Sequence, residues 1–320
     1  MNLVIVGGSD AGISAALRAK EIDPQAKVTV LLADDYPNFS ICGLPYYVSG
    51  ETPDWRSLAH RTEFPGIDVR RRHVARAIDV AGKAISVEAE GALRSMPYDK
   101  LIVATGAIPM RPDLPGADLE GVLLLHTMAD SFAVHDRLAA GGVRRAVIVG
   151  AGYIGLEVAD ALTRRGVEVT LLSRTDTMMP TVDPALGRMV EETLVRGGVR
   201  VLTTASAERV EPGLRVVDAA GSSHDADLVL LAVGVRPETG LFADAGGRLG
   251  ARGAIAVDPS MRRACRTCSR RAIAWRRIIA CCPRRRGFHS ARSRISRAAS
   301  RERMRSAAAR PSRGRSERRA

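Results

Sequence analysis

Residues 144–174 read "RRAVIVGAGYIGLEVADALTRRGVEVTLLSR". The stretch divides into an apolar run at 146–149, a glycine turn, an amphipathic helix over 154–165 and a second apolar run at 167–172. The turn spells G-x-G-x-x-G with Gly150, Gly152 and Gly155. The first glycine permits the tight turn, the second lets a pyrophosphate approach the backbone, and the third lets helix and strand pack closely. The helix then offers free N–H groups and the positive end of its dipole, with Tyr153 and Ile154 in its first turn. A full fingerprint between a strand and a helix, with a second strand behind it, specifies a β-α-β unit that holds a dinucleotide.

Working back toward the N-terminus, the pattern recurs. "NLVIVGGSDAGISAALRAKE" gives strand, turn and helix, and "AKVTVLLADD" gives the next strand. This turn carries Gly7, Gly8, Ser9 and Gly12, with Ser9 in place of the middle glycine. Taken alone, it is the turn that any strand-to-helix junction could show. Paired with the second unit, it reads as one FAD site and one nicotinamide site. Between the units, residues 73–97 alternate apolar and polar and predict a small antiparallel meander, followed by an apolar strand that ends at Thr105-Gly106. "DADLVLLAVGVRPET" repeats that ending at Gly234. The expected fold is α/β, with two Rossmann-like dinucleotide-binding domains. Residues 1–109 and 236–262 form the FAD-binding domain, 110–235 the NAD(P)-binding domain, and 263–320 a disordered basic tail.

The ends of the second strands bear on cofactor choice. An acid there binds the ribose 2′-hydroxyl of NAD, whereas an arginine accommodates the 2′-phosphate of NADP. In the second unit the strand ends Leu172-Ser173-Arg174, which favours NADPH over NADH, although Arg174 reads equally as a solvated strand-end cation. In the first unit the strand runs Leu31-Leu32-Ala33-Asp34-Asp35, and Asp34 is the candidate ribose ligand.

"NFSICGLPYYVSG" places Cys42 just past that strand. Ligands in these folds lie beyond the carboxyl ends of strands. A thiol becomes a nucleophile as its thiolate. Pro45 suits the first turn of a helix beginning near Gly43. The bland alternative is a buried, inert cysteine.

The chain carries a net charge of +13. The charge is divided unevenly: residues 263–320 contain 20 arginines and two acids, and the rest is mildly acidic. Residues 1–262 hold Cys42 as their one cysteine, which fits a reducing cytoplasm. No signal-peptide pattern, membrane-length apolar run or metal-ligand spacing is seen in them.

These features together resemble the flavin-dependent pyridine nucleotide–disulfide oxidoreductases, in particular the single-cysteine group of coenzyme A-disulfide reductase, NADH oxidase and NADH peroxidase. The matching motifs are "CGLPYY" at Cys42, "YDKLIVATGAIP" from Tyr98, "GAGYIGLE" from Gly150 and "AVGVRPET" from Ala232. The resemblance implies FAD on the first unit, NAD(P)H on the second, and hydride transfer from nicotinamide to flavin. Electrons then reach Cys42, which reduces a small-molecule disulfide or persulfide. It also implies that Thr105, Gly106 and Gly234 line cofactor, that Tyr153 gates the nicotinamide pocket, that Glu157 meets the carboxamide, and that the intact protein is a homodimer. The oxidases and peroxidases carry a histidine at the position of Asp10, so Asp10 argues against oxygen chemistry. An oxidase-type or electron-transfer flavoprotein is the alternative. Ile41 replaces the asparagine of some coenzyme A-disulfide reductases, and Leu32 replaces the family's ribose-binding acid. Arg18 and Arg70-Arg71-Arg72 read as a solvated charge run or as contacts to an anionic carrier.

The family's continuation after "RGAIAVDPSMR" is "TSVPDVFAAGDC"; here the chain instead runs "RACRTCSRRAIAWRRIIACC". Reading each codon's third base with the first two bases of the next permits the family's motifs, in order, through the tail. The expectation is a base lost near the codons for Arg262 and Arg263, leaving a product without its flavin-closing segment and dimer interface. On this reading neither a zinc module at Cys265, Cys268, Cys281 and Cys282 nor a nucleic-acid-binding arm is the tail's purpose.

Overall fold

The computed structural model describes residues 1–258, Arg262 and the backbone of Ile278–Ala280. The apolar runs of the sequence become strands because parallel sheets bury both faces and draw on Val, Ile and Leu without alternation. In chain order, β1 (Asn2–Val6), α1 (Asp10–Ile22) and β2 (Lys27–Leu31) form the first β-α-β unit. A 3-10 turn over Ile41–Gly43 carries Cys42 into α2 (Leu44–Ser49). Then come β3 (Ile67–Arg70), the meander β4 (Val74–Asp79), β5 (Ala84–Ala89) and β6 (Ala92–Pro97), and β7 (Lys100–Val103). Strands β8 (Ala107–Pro109) and β9 (Val122–Leu123) lead to α3 (Met128–Ala139).

The second β-α-β unit is β10 (Arg145–Val149), α4 (Tyr153–Arg164) and β11 (Glu168–Leu172). Helix α5 (Pro184–Arg196) and β12 (Arg200–Leu202) follow, then the meander β13 (Ala207–Glu211), β14 (Arg215–Asp218) and β15 (Ser223–Asp225). Strands β16 (Leu228–Leu231) and β17 (Val235–Pro237), helix α6 (Gly240–Asp244) and β18 (Ile278–Ala280) complete the described elements.

Two five-stranded sheets result, in the orders β18-β7-β1-β2-β3 and β12-β11-β10-β16-β9, with every recorded pairing parallel. Strand order reverses beside β1 in one sheet and beside β10 in the other, and each glycine turn sits at that reversal. In the first sheet Leu3, Ile5, Val28 and Val30 face α1, while Val4, Val6 and Leu31 face the β4–β6 meander. In the second, Ile148 and Leu171 face α3 and α4, while Val147 and Val149 face the β13–β15 meander. The antiparallel ribbon β8–β17 connects them.

Helix α2 belongs to the second sheet's core, although its sequence follows the first unit. Leu44, Tyr47 and Val48 are buried there with Val158 and Leu162 of α4. Burying a Leu or Val completely stabilises by about 1.5–3 kcal/mol. The turn carrying Cys42 is therefore fixed on its far side by α4.

Of residues 263–320, read as a disordered basic tail, the structure describes the backbone of three. Ile278–Ala280 pairs in parallel with Leu101–Val103. An open sheet edge offers a row of unpaired N–H and C=O groups for such a pairing. The cysteine-zinc and nucleic-acid readings fall outside the described residues. All described residues belong to one compact unit, Met1–Cys282.

Candidate active site

The two glycine turns have the same construction. Gly7 and Gly150 have φ of 111° and 114°, values that a side chain rarely tolerates. Each donates its N–H to the end of the following strand, Gly7 to Leu31 and Gly150 to Leu172, both at 2.9 Å. A Cβ on Gly7 would overlap the Ala104 carbonyl, and one on Gly150 the Ala232 carbonyl. A Cβ on Gly12 would overlap the Gly7 carbonyl, and one on Gly155 the Gly150 carbonyl. The sequence alone could not give these partners.

Ser9 and Gly152 cap their helices with nearly equal geometry, φ −83° and ψ −170° against φ −84° and ψ −177°. Both are extended conformations open to any residue, so Ser9 fits without strain. Its hydroxyl makes no cap bond. A Cβ on Gly152 would meet nothing within 4 Å. That open space beside helix N–H groups is what an approaching pyrophosphate requires, and the residues present fit a dinucleotide in both units.

The strand ends differ from each other. Leu32 is buried and covers Gly8, whose added Cβ would lie 2.9 Å from Leu32 Cδ1. Asp34 accepts a hydrogen bond from the Tyr36 N–H at 2.8 Å. Burial pushes its carboxyl above the usual range, against the opposing effect of that bond. Asp35 takes both oxygens to Arg72 Nε at 2.8 Å and is held below the usual range by that partner. Arg18 pairs with Glu21 and Arg70 with Asp68. In the second unit Ser173 is buried, and its hydroxyl donates to the Thr175 carbonyl at 3.0 Å. Arg174 is exposed and enters no recorded ion pair among the described residues.

Thr105 and Gly106 leave β7 at the first reversal. The Thr105 hydroxyl donates to the Glu238 carbonyl, and Glu238 N–H donates to the Gly106 carbonyl at 3.0 Å. A Cβ on Gly106 would meet open space. Gly234 accepts from Met110 N–H at 2.8 Å. These residues close the two ends of the β8–β17 ribbon. Tyr153 stands half-exposed at the first position of α4. Ile154 packs on the second sheet's core. Glu157 lies one turn further along, and burial of its carboxyl pushes its pKa up.

Cys42 is exposed and free. The segment before it pairs antiparallel with residues 58–60: His60 N–H donates to the Asn38 carbonyl and Ser40 N–H to the Leu58 carbonyl, both at 2.9 Å. Asn38 is buried, donates its N–H to the Gly8 carbonyl at 2.8 Å, and donates from Nδ2 to Asp10 Oδ1 at 2.8 Å. His60 Nε2 lies 3.9 Å from the same Asp10 oxygen. Sequence reading missed His60, because no spacing signals a contact across 50 residues.

Among the described residues no group of three or more potential metal-binding side chains occurs, and no helix is long and apolar enough to cross a membrane.

Known proteins share this arrangement. The chain is 34% identical over 269 residues to an NAD(P)H sulfur oxidoreductase (CoA-dependent) of Pyrococcus furiosus, covering 81% of this chain and 60% of that protein. It superposes on an NAD-dependent persulfide reductase from A. fulgidus with a TM-score of 0.81 at 34% identity, over 88% of this chain and 52% of the other. It also matches an engineered NADPH-bound variant of the Lactobacillus brevis water-forming NADH oxidase, with a TM-score of 0.78, 28% identity, and 88% and 62% coverage. The chain thus spans about 60% of the length of the curated relative. The family described as pyridine nucleotide-disulphide oxidoreductase matches residues 1–268. With two glycine turns alike in their φ angles and packing, and a match over most of the chain, this protein belongs to the pyridine nucleotide-disulphide oxidoreductase family.

Proposed function

We propose that this chain carries the dinucleotide-binding parts of a FAD-dependent NAD(P)H reductase of persulfides or disulfides, with Cys42 as its sulfur nucleophile. In this reading residues 1–109 and 236–262 hold FAD and residues 110–235 hold NAD(P)H. The observation that carries it is the position of Cys42. Its turn is tied on one side to the first glycine turn through Asn38 and Gly8, and on the other to α4 through α2. A thiol at that joint is reachable from both dinucleotide units. The names of the sulfur and persulfide reductases among the relatives support the substrate class.

The chain's own residues account for binding and positioning. The N-termini of α1 and α4 receive the pyrophosphates, and Gly7, Gly12, Gly150 and Gly155 keep backbone and helix close enough to do so. Thr105, Gly106 and Gly234 shape the ribbon beside both turns. Tyr153 covers the approach to the second turn, and Glu157 offers a carboxyl further along the same helix. Cys42 attacks an S–S bond as its thiolate. FAD, when bound, supplies two-electron transfer between the nicotinamide and that sulfur.

We also read a lost base near the codons for Arg262 and Arg263, and a dimeric protein in the restored frame. Resequencing those codons checks this directly. The test of function is hydrosulfide release from glutathione persulfide driven by NADPH, in restored-frame protein loaded with FAD. Release matched to NADPH consumption supports the reading. NADPH-driven oxygen uptake with no response to persulfide points to the oxidase alternative.

A further inference from the structure

When a thiolate opens a persulfide or disulfide, the departing sulfur takes the negative charge, and a proton donor beside it speeds the step when that sulfur is strongly basic. Leaving groups of high pKa depart slowly without one. We propose that His60, held by Asp10, is the proton donor to the sulfur that leaves when Cys42 attacks. This rests on the reading of Cys42 as the attacking thiol.

The placement has three parts. Asp10 opens α1, and its Oδ1 is fixed by Nδ2 of the buried Asn38 at 2.8 Å. His60 is anchored by its own N–H to the Asn38 carbonyl, and its Nε2 faces that carboxylate oxygen at 3.9 Å. Both side chains stay more than half exposed, 66% for Asp10 and 52% for His60. The short ribbon that carries His60 continues into the Cys42 turn. Ser40 pairs with Leu58, the Cys42 turn starts at the next residue, and Gly43 closes on the Leu58 side chain. A carboxylate fixed by a buried amide, next to an exposed imidazole, makes a dyad suited to proton delivery. The Asp10 carboxylate, itself held by Asn38, lies beside the imidazole, so Asp10 is a positioning residue.

The step balances. Cys42 thiolate attacks the inner sulfur of R–S–SH, the Cys42–S–S–R bond forms, and the S–S bond to the terminal sulfur breaks. The leaving HS⁻ takes the proton of His60 and departs as H₂S. The reduced nicotinamide of the proposed function then supplies the two electrons that return Cys42 and RS⁻. With a disulfide, RS⁻ takes the same proton.

The first half of this sequence needs no bound cofactor, so the 320-residue chain can be used directly. Mixed-disulfide formation at Cys42 is followed by peptide-resolved mass spectrometry, which separates it from the other cysteines. Two probes are compared. Glutathione disulfide expels an alkyl thiolate that needs a proton. A dithiobis-nitrobenzoate expels an aryl thiolate that does not. His60→Ala slows the glutathione reaction on the order of a hundredfold and leaves the aryl reaction within about twofold. Added imidazole restores the lost rate, and Asp10→Asn gives a smaller loss of the same selective kind. His60→Gln, which keeps the size of the side chain, repeats the result if the alanine variant folds poorly. Equal slowing with both probes, no slowing, or failure of imidazole to rescue overturns the dyad. So does a selective loss in Tyr46→Phe instead, since Tyr46 is the exposed hydroxyl one turn beyond Cys42. If Cys42 in the parent chain reacts with neither probe, the reading of Cys42 itself fails.

Discussion

Arg165 donates from Nε to the Val48 carbonyl oxygen at 2.9 Å. The bond joins the end of α4 to the helix that follows Cys42. Arg164 adds an ion pair to Glu51 at 2.5 Å, and Gly50, with φ 86°, ends α2 against the Arg165 guanidinium. The helix behind the second glycine turn and the helix that follows Cys42 thus share a hydrogen bond and an ion pair as well as an apolar interface. Arg165→Ala should cost about 1–2 kcal/mol for the lost bond and speed amide hydrogen exchange across Leu44–Ser49. Unchanged exchange there would mean that the apolar interface alone holds α2.

Gly152 and Gly155 should separate binding from folding. A Cβ at Gly152 enters open space, whereas one at Gly155 overlaps the Gly150 carbonyl. Gly152→Ala should leave the thermal midpoint unchanged and weaken NADPH binding by about tenfold, or about 1.4 kcal/mol. Gly155→Ala should lower both. Fluorescence titration beside thermal unfolding makes the comparison. Full NADPH affinity in Gly152→Ala would remove this turn from the binding site.

These glycines also mark how far the sequence could be read. The order strand, glycine turn, helix, strand announced both sheets, the full fingerprint of the second unit lending weight to the first, where Ser9 replaces the middle glycine. The antiparallel meander at 73–97 was legible from alternation, and Pro45 marked the start of α2. What stayed hidden depends on distant contacts. Nothing local says that Leu44 and Val48 bury against α4, that Leu32 covers Gly8, or that His60 comes to Asp10. Nor does anything local say that the Ser173 hydroxyl, at the strand end read for cofactor choice, donates to the Thr175 carbonyl. Ile278–Ala280 lay in a stretch read as tail, and its three residues pair with an edge whose location the sequence did not reveal.

Nicotinamide choice should rest on the acid-free Ser173-Arg174 end of β11. We expect kcat/KM for NADPH to exceed that for NADH in the restored-frame protein, and Arg174→Ala to reduce the ratio by roughly tenfold, about 1.4 kcal/mol. Steady-state kinetics with both nucleotides decide it. A parent enzyme that prefers NADH contradicts this reading of the strand end.

Tyr98 gives a pH-dependent stability. It lies in the core under the β4–β6 meander, and burial, with Asp79 nearby, pushes its pKa from 10.0 up to about 12. The fold favours the neutral phenol, so this contribution is complete below pH 10, the unfolded value, and is lost as pH rises through about 12. Tyr98→Phe should flatten the alkaline limb of the stability curve between those values, measured by urea unfolding. An alkaline limb identical to the parent's would show that another group sets it.

The central claim is that electrons pass from a nicotinamide to sulfur through Cys42. The most direct measurement compares restored-frame protein with its Cys42→Ser variant, both loaded with FAD. Flavin absorbance is followed on adding NADPH, and hydrosulfide release on adding glutathione persulfide. The account predicts that Cys42→Ser binds FAD and bleaches with NADPH as the parent does, but releases no hydrosulfide above background. Release at the parent's rate from Cys42→Ser would contradict it.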